Sequence, residues 1–170
     1  RRNWYPGAAM APDGRYVAYS AWTVGGYRDL RVVEVATGKF WEITKDRAMD
    51  MGPAWSSDGR HLYFSSDRSG IFNVYMYDLA SRAIVQVTNV RVAALMPAVD
   101  EDEKTLAYIG FGTRGYDLFT MPLDPARYLE APPPPTDRPD PPPAPRPIAM
   151  RHEPYNPLPT FGPRSYFFSI

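Results

Sequence analysis

Trp55-Ser56-Ser57-Asp58-Gly59-Arg60-His61-Leu62-Tyr63-Phe64-Ser65 is the stretch whose reading decides the fold. Its Asp-Gly pair suits the positive φ angles of a tight hairpin turn. The residues after it set large apolar side chains at Leu62 and Phe64, the alternation of a half-buried strand. The same arrangement stands earlier in Ala11-Pro12-Asp13-Gly14-Arg15-Tyr16-Val17-Ala18-Tyr19-Ser20. Asp13-Gly14-Arg15 recurs as Asp58-Gly59-Arg60, and Asp102-Glu103-Lys104 follows after a further interval of about forty-four residues. The pairs Asp29-Leu30, Asn73-Val74 and Asp117-Leu118 keep that interval, as do Val35, Leu79 and Leu123.

Each repeat reads as four short strands. Ala9-Met10, Ala54-Trp55 and Ala98-Val99 precede the turn. Val17 with Tyr19, Leu62 with Phe64, and Leu106 with Tyr108 follow it. A third strand runs from Leu30 to Val35, from Val74 to Leu79 and from Leu118 to Leu123. Phe40 to Thr44 and Ile84 to Thr88 supply the fourth, and Tyr128 to Pro132 is the expected counterpart in the last repeat. Four antiparallel strands per period of about forty to forty-five residues is the pattern of propeller blades. The alternative is a twelve-strand sandwich whose regular spacing is accidental.

The two motifs quoted above resemble the blade motif of the TolB-like propellers, a class shared with the propellers of prolyl oligopeptidase and tricorn-like proteases. The resemblance covers residues 1 to about 130. The third repeat departs from it, with Glu103 in place of the turn glycine. The expected fold is therefore all-β, with three four-stranded blades of a partial TolB-like β-propeller followed by a proline-rich extended segment. The blades are expected over residues 1–131, at about 1–46, 47–90 and 91–131. A propeller needs about four to eight blades, so further blades are expected before Arg1, and the three alone are expected to expose an apolar face and aggregate.

Half of the chain's 20 prolines lie between Pro132 and Pro147. Residues 132–150 are thus expected to be a linker favouring polyproline II, a semi-rigid spacer. Asp137, Arg138, Asp140 and Arg146 are expected to keep it solvated. An SH3-like groove reads the same helix, so a recognition motif is the alternative. Residues 151–170 form an extended tail. Its stretch Tyr155-Asn156-Pro157-Leu158-Pro159-Thr160-Phe161-Gly162-Pro163-Arg164-Ser165-Tyr166 is similar to the junction between TolB-like propellers and a C-terminal BamA-like (surface antigen) outer-membrane β-barrel. A barrel strand would begin at Ser165 and continue beyond Ile170, since a spanning strand needs about nine to eleven residues.

The side chains give little sign of catalysis. The chain has 19 basic and 19 acidic residues and no cysteine. Balanced charge argues against nucleic acid as a partner, and zero cysteines exclude disulfides, thiolate metal sites and a cysteine nucleophile. His61 and His152 stand far apart in the sequence, which disfavours a histidine triad or zinc site. Gly162-Pro163-Arg164-Ser165-Tyr166 lacks the pattern of a nucleophile elbow. Asp100-Glu101-Asp102-Glu103 lacks the spacing of a calcium loop and reads as a solvated turn. Phe111-Gly112-Thr113-Arg114-Gly115-Tyr116 reads as the loop between second and third strands. No cofactor and no metal are expected.

Seven residues stand out instead: Trp22, Tyr27, Arg28, Arg68, Phe72, Arg114 and Tyr116 fall in or beside equivalent loops, which a propeller gathers on one face. Aromatic residues and arginine are enriched at binding hot spots. The resemblance implies a noncatalytic interaction scaffold of the bacterial envelope, periplasmic and associated with the outer membrane. The partners expected are an envelope protein or peptide, the remaining blades and a downstream barrel, which would provide the only link to the membrane. The alternative is an accessory propeller that gates substrate entry to a serine peptidase.

Overall fold

The computed structural model describes residues 7–134 and 137–139. The expectations for residues 151–170, and for most of 132–150, lie outside them. The described strands, in chain order, are β1 (Ala8–Met10), β2 (Tyr16–Trp22), β3 (Arg28–Glu34), β4 (Phe40–Glu42), β5 (Asp50–Trp55), β6 (His61–Ser66), β7 (Asn73–Asp78), β8 (Ile84–Gln86), β9 (Ala94–Val99), β10 (Thr105–Gly112), β11 (Gly115–Pro122) and β12 (Leu129–Glu130). A single turn of 3-10 helix, Pro125–Arg127, precedes β12, with the Asp124 carboxylate accepting from the Ala126 N–H.

Three antiparallel sheets result, ordered β1-β2-β3-β4, β5-β6-β7-β8-β12 and β9-β10-β11. The repeated turns begin each one. The Asp13 carboxylate accepts from Arg15 N–H and that of Asp58 from Arg60 N–H, both at 2.9 Å. Gly14 and Gly59 take φ of +69° and +70°. Glu103 holds the same turn at φ +51°, so the third repeat keeps the geometry without the glycine that normally relieves it.

A second repeated irregularity lies in the first strand of each later sheet. The pairing of β5 with β6 shifts register between Met51 and Ala54, and that of β9 with β10 shifts between Leu95 and Ala98. Gly52 and Met96 sit at these bulges with φ of +62° and +51°. Each precedes a proline, which has no N–H to offer the ladder.

Two apolar clusters hold the sheets together. One contains Ala18, Leu30, Val32, Leu62, Phe64, Tyr75 and Tyr77; the other contains Tyr63, Val74, Val87, Ala94 and Leu106. Alternate residues of β6 and β7 enter different clusters, so the second sheet is covered on both faces. A two-layer sandwich buries only one face of each sheet, and this arrangement is a stack of three. Trp55 adds a polar link between the first two sheets, its Nε1–H donating to the Ala9 carbonyl at 2.9 Å.

Two expectations are corrected. The strand expected at Tyr128 to Pro132 does not close the third sheet: Leu129 pairs with Gln86 and Glu130 with Val85, so β12 extends the second sheet. The short turn of Pro125–Arg127 carries the chain to that edge, and β11 keeps an unpaired edge among the described residues. The stretch Phe111 to Tyr116 is also less of a loop than expected. β10 and β11 pair through Gly112 and Gly115, leaving a two-residue hairpin turn at Thr113-Arg114, which Gly115 supports with φ +114°.

Candidate functional site

The strand directions divide the connections between two ends of the stack. At one end lie the turns preceding β2, β6 and β10. At the other lie the connections from β2 to β3, β6 to β7 and β10 to β11, together with the approaches to β5 and β9. Cross-links confirm the second grouping: Met49 N–H donates to the Asp67 carboxylate at 2.7 Å, and Ala94 N–H to the Phe72 carbonyl at 2.8 Å.

All seven residues singled out in the sequence lie at this second end, in unequal settings. Trp22 is 51% exposed, and Arg28 lies over its ring at 5.4 Å while donating through Nε to Ser20 Oγ at 2.8 Å. Burial lowers the pKa of Arg28 from its ordinary value. Tyr116 is 68% exposed and meets Phe111 edge-on. Arg114 is exposed at the hairpin tip, and Phe72 is half-buried. Arg68 is an interior group: 8% exposed, it faces the rings of Phe64 and Tyr75 and reaches the Asp50 carboxylate at 3.2 Å. It organises the end from within and offers little surface to a partner.

Beneath these loops is a buried charged network that the sequence reading missed. Ser20 Oγ donates to the Asp50 carbonyl at 2.6 Å. Burial pushes the carboxyls of Asp46 and Asp50 up, and the Arg68 guanidinium pulls against that shift. Asp29, fully buried at the start of β3, accepts from Thr23 Oγ1 at 3.0 Å. Its other partner is Arg138. That residue donates through Nη1 to Asp29 Oδ2 at 2.9 Å and through Nη2 to Oδ1, and its Nε donates to the Asp46 carbonyl at 2.6 Å. The guanidinium lies 4.2 Å from the centre of the Tyr27 ring.

Arg138 therefore departs from the solvated spacer role, since its side chain is 16% exposed. Asp137 beside it is exposed and pairs with Arg47 at 2.8 Å. Only the repeat could have pointed to the pocket, because Asp29, Asn73 and Asp117 are equivalent positions and Asp29 needs a cation once buried.

At the opposite end, Glu103 Oε2 lies 2.9 Å from His61 Nδ1 and accepts from the Tyr63 hydroxyl at 3.2 Å. His61 Nε2 is 3.5 Å from Asp78. Burial, with Tyr128 and Glu103 nearby, pushes the Tyr63 hydroxyl up. Asp58, His61 and Glu103 offer ligand-type atoms within 4.8 Å of one another, where the sequence reading expected no metal site. Asp58 Oδ1 already accepts from Ser56 Oγ and Arg60 N–H, so the group is internally hydrogen-bonded. The His61 ring faces carboxylates on both nitrogens, which is not the orientation that activates a hydroxyl nucleophile. A groove of about 580 Å³ is lined by Trp41, Glu42, Ile43, Tyr77, Leu79 and Arg82. Glu42 there is paired with Arg31 at 2.9 Å.

Comparison with known proteins agrees with this architecture. The chain is 36% identical over 78 residues to the Tol-Pal system protein TolB of Francisella tularensis subsp. holarctica, a match spanning 45% of this chain and 18% of that protein. The structure is similar to that of a putative TolB from Agrobacterium tumefaciens, with a TM-score of 0.65 and 17% identity over 75% of this chain and 48% of the other. The tricorn protease also matches, with a TM-score of 0.54 and 18% identity over 71% of this chain and 14% of the other. At such identities the two structures speak for the fold alone. Residues 4–127 match the family PD40, described as the TolB beta propeller domain, and the chain belongs to that family.

Proposed function

We propose that the chain is a noncatalytic protein-interaction scaffold of the bacterial cell envelope, acting through the end of the stack that carries Trp22, Tyr27, Arg28, Phe72, Arg114 and Tyr116. The observation that carries the reading is the chemistry of that end. Exposed Trp22 has the Arg28 guanidinium over its ring, and exposed Tyr116 packs on Phe111 next to the Arg114 hairpin tip. The loops bearing Trp22 and Tyr27 stand over the buried charged network. Rigid aromatic anchors with arginine are the groups that dominate binding energy at protein interfaces. Similarity to a Tol-Pal system protein supports an envelope protein or peptide as the partner. It also supports a periplasmic location associated with the outer membrane. In this reading residues 132–150 link the sheets to a membrane component. The sheets are three blades of a larger ring.

The second reading, left open by the blade motif itself, is an accessory propeller of a serine peptidase. The full reading frame separates the two. Alternating strands of about ten residues downstream support the barrel, and a nucleophile elbow between strand and helix supports the peptidase. The interaction surface is tested by capture from envelope extracts, comparing the parent chain with Trp22→Ala, Tyr27→Ala and Tyr116→Ala. Recovery of a specific partner should fall at least about tenfold in the triple variant, a loss of about 1.4 kcal/mol. Unchanged recovery, with the fold intact, contradicts the reading.

A further inference from the structure

The Asp29 carboxylate, the Asp46 carbonyl and the Tyr27 ring together engage an arginine side chain at its fork, its Nε–H and one face. The carboxylate takes the planar fork in a two-point contact, the carbonyl takes the Nε–H, and the ring covers the face at 4.2 Å. Lysine, with one point charge and no plane, cannot reproduce this arrangement. The carbonyl is itself held in place, because the Asp46 carboxylate accepts from Ala48 N–H at 2.8 Å and lies 3.7 Å from Arg68.

The repeat supplies an independent observation. At the equivalent position of the second sheet, Asn73 is neutral and satisfied locally: its Oδ1 accepts from Thr88 Oγ1 and Val90 N–H, both at 2.9 Å, and its Nδ2 donates to Ser69 and Ile71. Closing this loop therefore requires only an amide. Asp29 replaces it with a fully buried carboxylate whose cationic partner is 109 residues away in sequence, in a segment reading Thr136-Asp137-Arg138-Pro139. Among the described residues, the segment's other ion pair with the stack is the exposed Arg47–Asp137 pair, which solvent weakens.

We propose that Asp29, Tyr27 and the Asp46 carbonyl form a receptor for an arginine within an extended, proline-flanked peptide. Arg138 is its internal ligand, and an arginine-bearing segment of a partner protein is its external one. The inference rests on the interaction reading above and names the partner's chemistry. While Arg138 is in place, the internal segment competes with the partner.

The test uses the full chain and a synthetic peptide, Pro-Thr-Asp-Arg-Pro-Asp, titrated by calorimetry. Arg138→Ala empties the pocket and should bind the peptide at least about tenfold more tightly than the parent chain does. Lysine or citrulline in place of the peptide arginine should weaken binding to the variant by at least about tenfold. Equal affinity for parent and variant, tolerance of citrulline, or no binding to a variant that keeps its β-sheet circular dichroism would each overturn the proposal.

Should Arg138→Ala fail to fold, the parent chain serves. Phenylglyoxal should modify Arg138 at least about tenfold more slowly than exposed Arg114, and excess peptide should remove that protection. Equal rates, or protection unaffected by peptide, would overturn the proposal as well. Glu103→Ala lies at the opposite end of the stack and should keep peptide binding. Partner capture that depends on Trp22 and Tyr116, with no peptide binding, leaves the interaction reading standing and defeats this one.

Discussion

The second and third sheets are built from the same repeat, yet the same positions in them have opposite fates. Val74 is fully buried and its counterpart Leu118 is 69% exposed. Tyr75 is fully buried, whereas Phe119 is 42% exposed. The difference does not come from residue type, since Leu118 and Phe119 are at least as apolar as the residues they replace. It comes from neighbours. The second sheet has a sheet on each face and gains β12 on its edge, while β11 lacks a fourth strand among the described residues. A blade motif therefore specifies a strand and its two faces, and burial is supplied by what stacks on them.

The largest test of this difference is a pair of aromatic truncations. Tyr75→Ala removes a ring packed against Phe64 at a centroid distance of 6.0 Å and beneath Arg68 at 5.1 Å. It should cost about 3–5 kcal/mol in urea unfolding, as deletions of buried aromatic side chains do. Phe119→Ala should cost no more than about half as much, because its ring is already partly in water. Equal costs would mean that the third sheet is covered in solution.

Next in size is the charged network under the loops. Arg68→Ala leaves Asp50 and Asp46 without their guanidinium, and should cost about 3–5 kcal/mol. Asp50→Asn should cost less, because burial already favours the uncharged form of that carboxyl. The sign of the pH dependence follows. A carboxyl whose folded pKa is raised binds its proton to higher pH than the unfolded chain does. Its contribution to stability is fullest below the unfolded value of about 3.9 and is lost as pH rises through the folded value. The stability advantage of the parent over Asp50→Asn should therefore shrink as pH rises from about 4 to 7, as measured by urea midpoints at each pH. Asp78 and Asp100 have the opposite sign: backbone N–H donors from Ser81 and Thr105, respectively, are the chief cause of their lowered pKa values. Their contribution is present above the ordinary carboxylate value and is lost in acid.

Smaller effects belong to the turns. Glu103→Ala keeps the unfavourable positive φ and removes the contacts to His61 and Tyr63, so it should destabilise by about 1–2 kcal/mol. Glu103→Gly loses the same contacts and relieves the backbone, and should come out closer to the parent by about 1 kcal/mol. Reversal of that order would show that the turn changes conformation in solution. The smallest change in stability is expected at the open edge, where Leu118→Lys should alter unfolding by no more than about 0.5 kcal/mol. It should nonetheless reduce concentration-dependent association in sedimentation, since an exposed apolar edge strand invites pairing.

Much of this was legible in the sequence because it is local. Asp-Gly turns and alternating apolar residues at a constant interval announce antiparallel strands whatever surrounds them, and Trp22 and Tyr116 fell where the loops put them. The course of β12 was not legible, since Leu129-Glu130 carries no signal to say which of two edges it will join. Arg68 looked like a surface group because its burial depends on Asp50 and two rings contributed by other strands. Arg138 looked like a solvating charge in a proline run, and nothing near it in sequence announces Asp29. One missed feature did leave a trace: Pro53 and Pro97 repeat at the blade interval and mark the two bulges.

The central claim is that the loop end, with its exposed aromatic residues over a rigid charged base, is where a partner binds. Hydrogen–deuterium exchange on the full chain, with and without the captured envelope partner, tests it directly. The account predicts that binding slows exchange in residues 23–28, 69–72 and 111–116, while the turns at 56–60 and 100–104 exchange as before. Slowing confined to those turns would place the interface at the opposite end of the stack and contradict it.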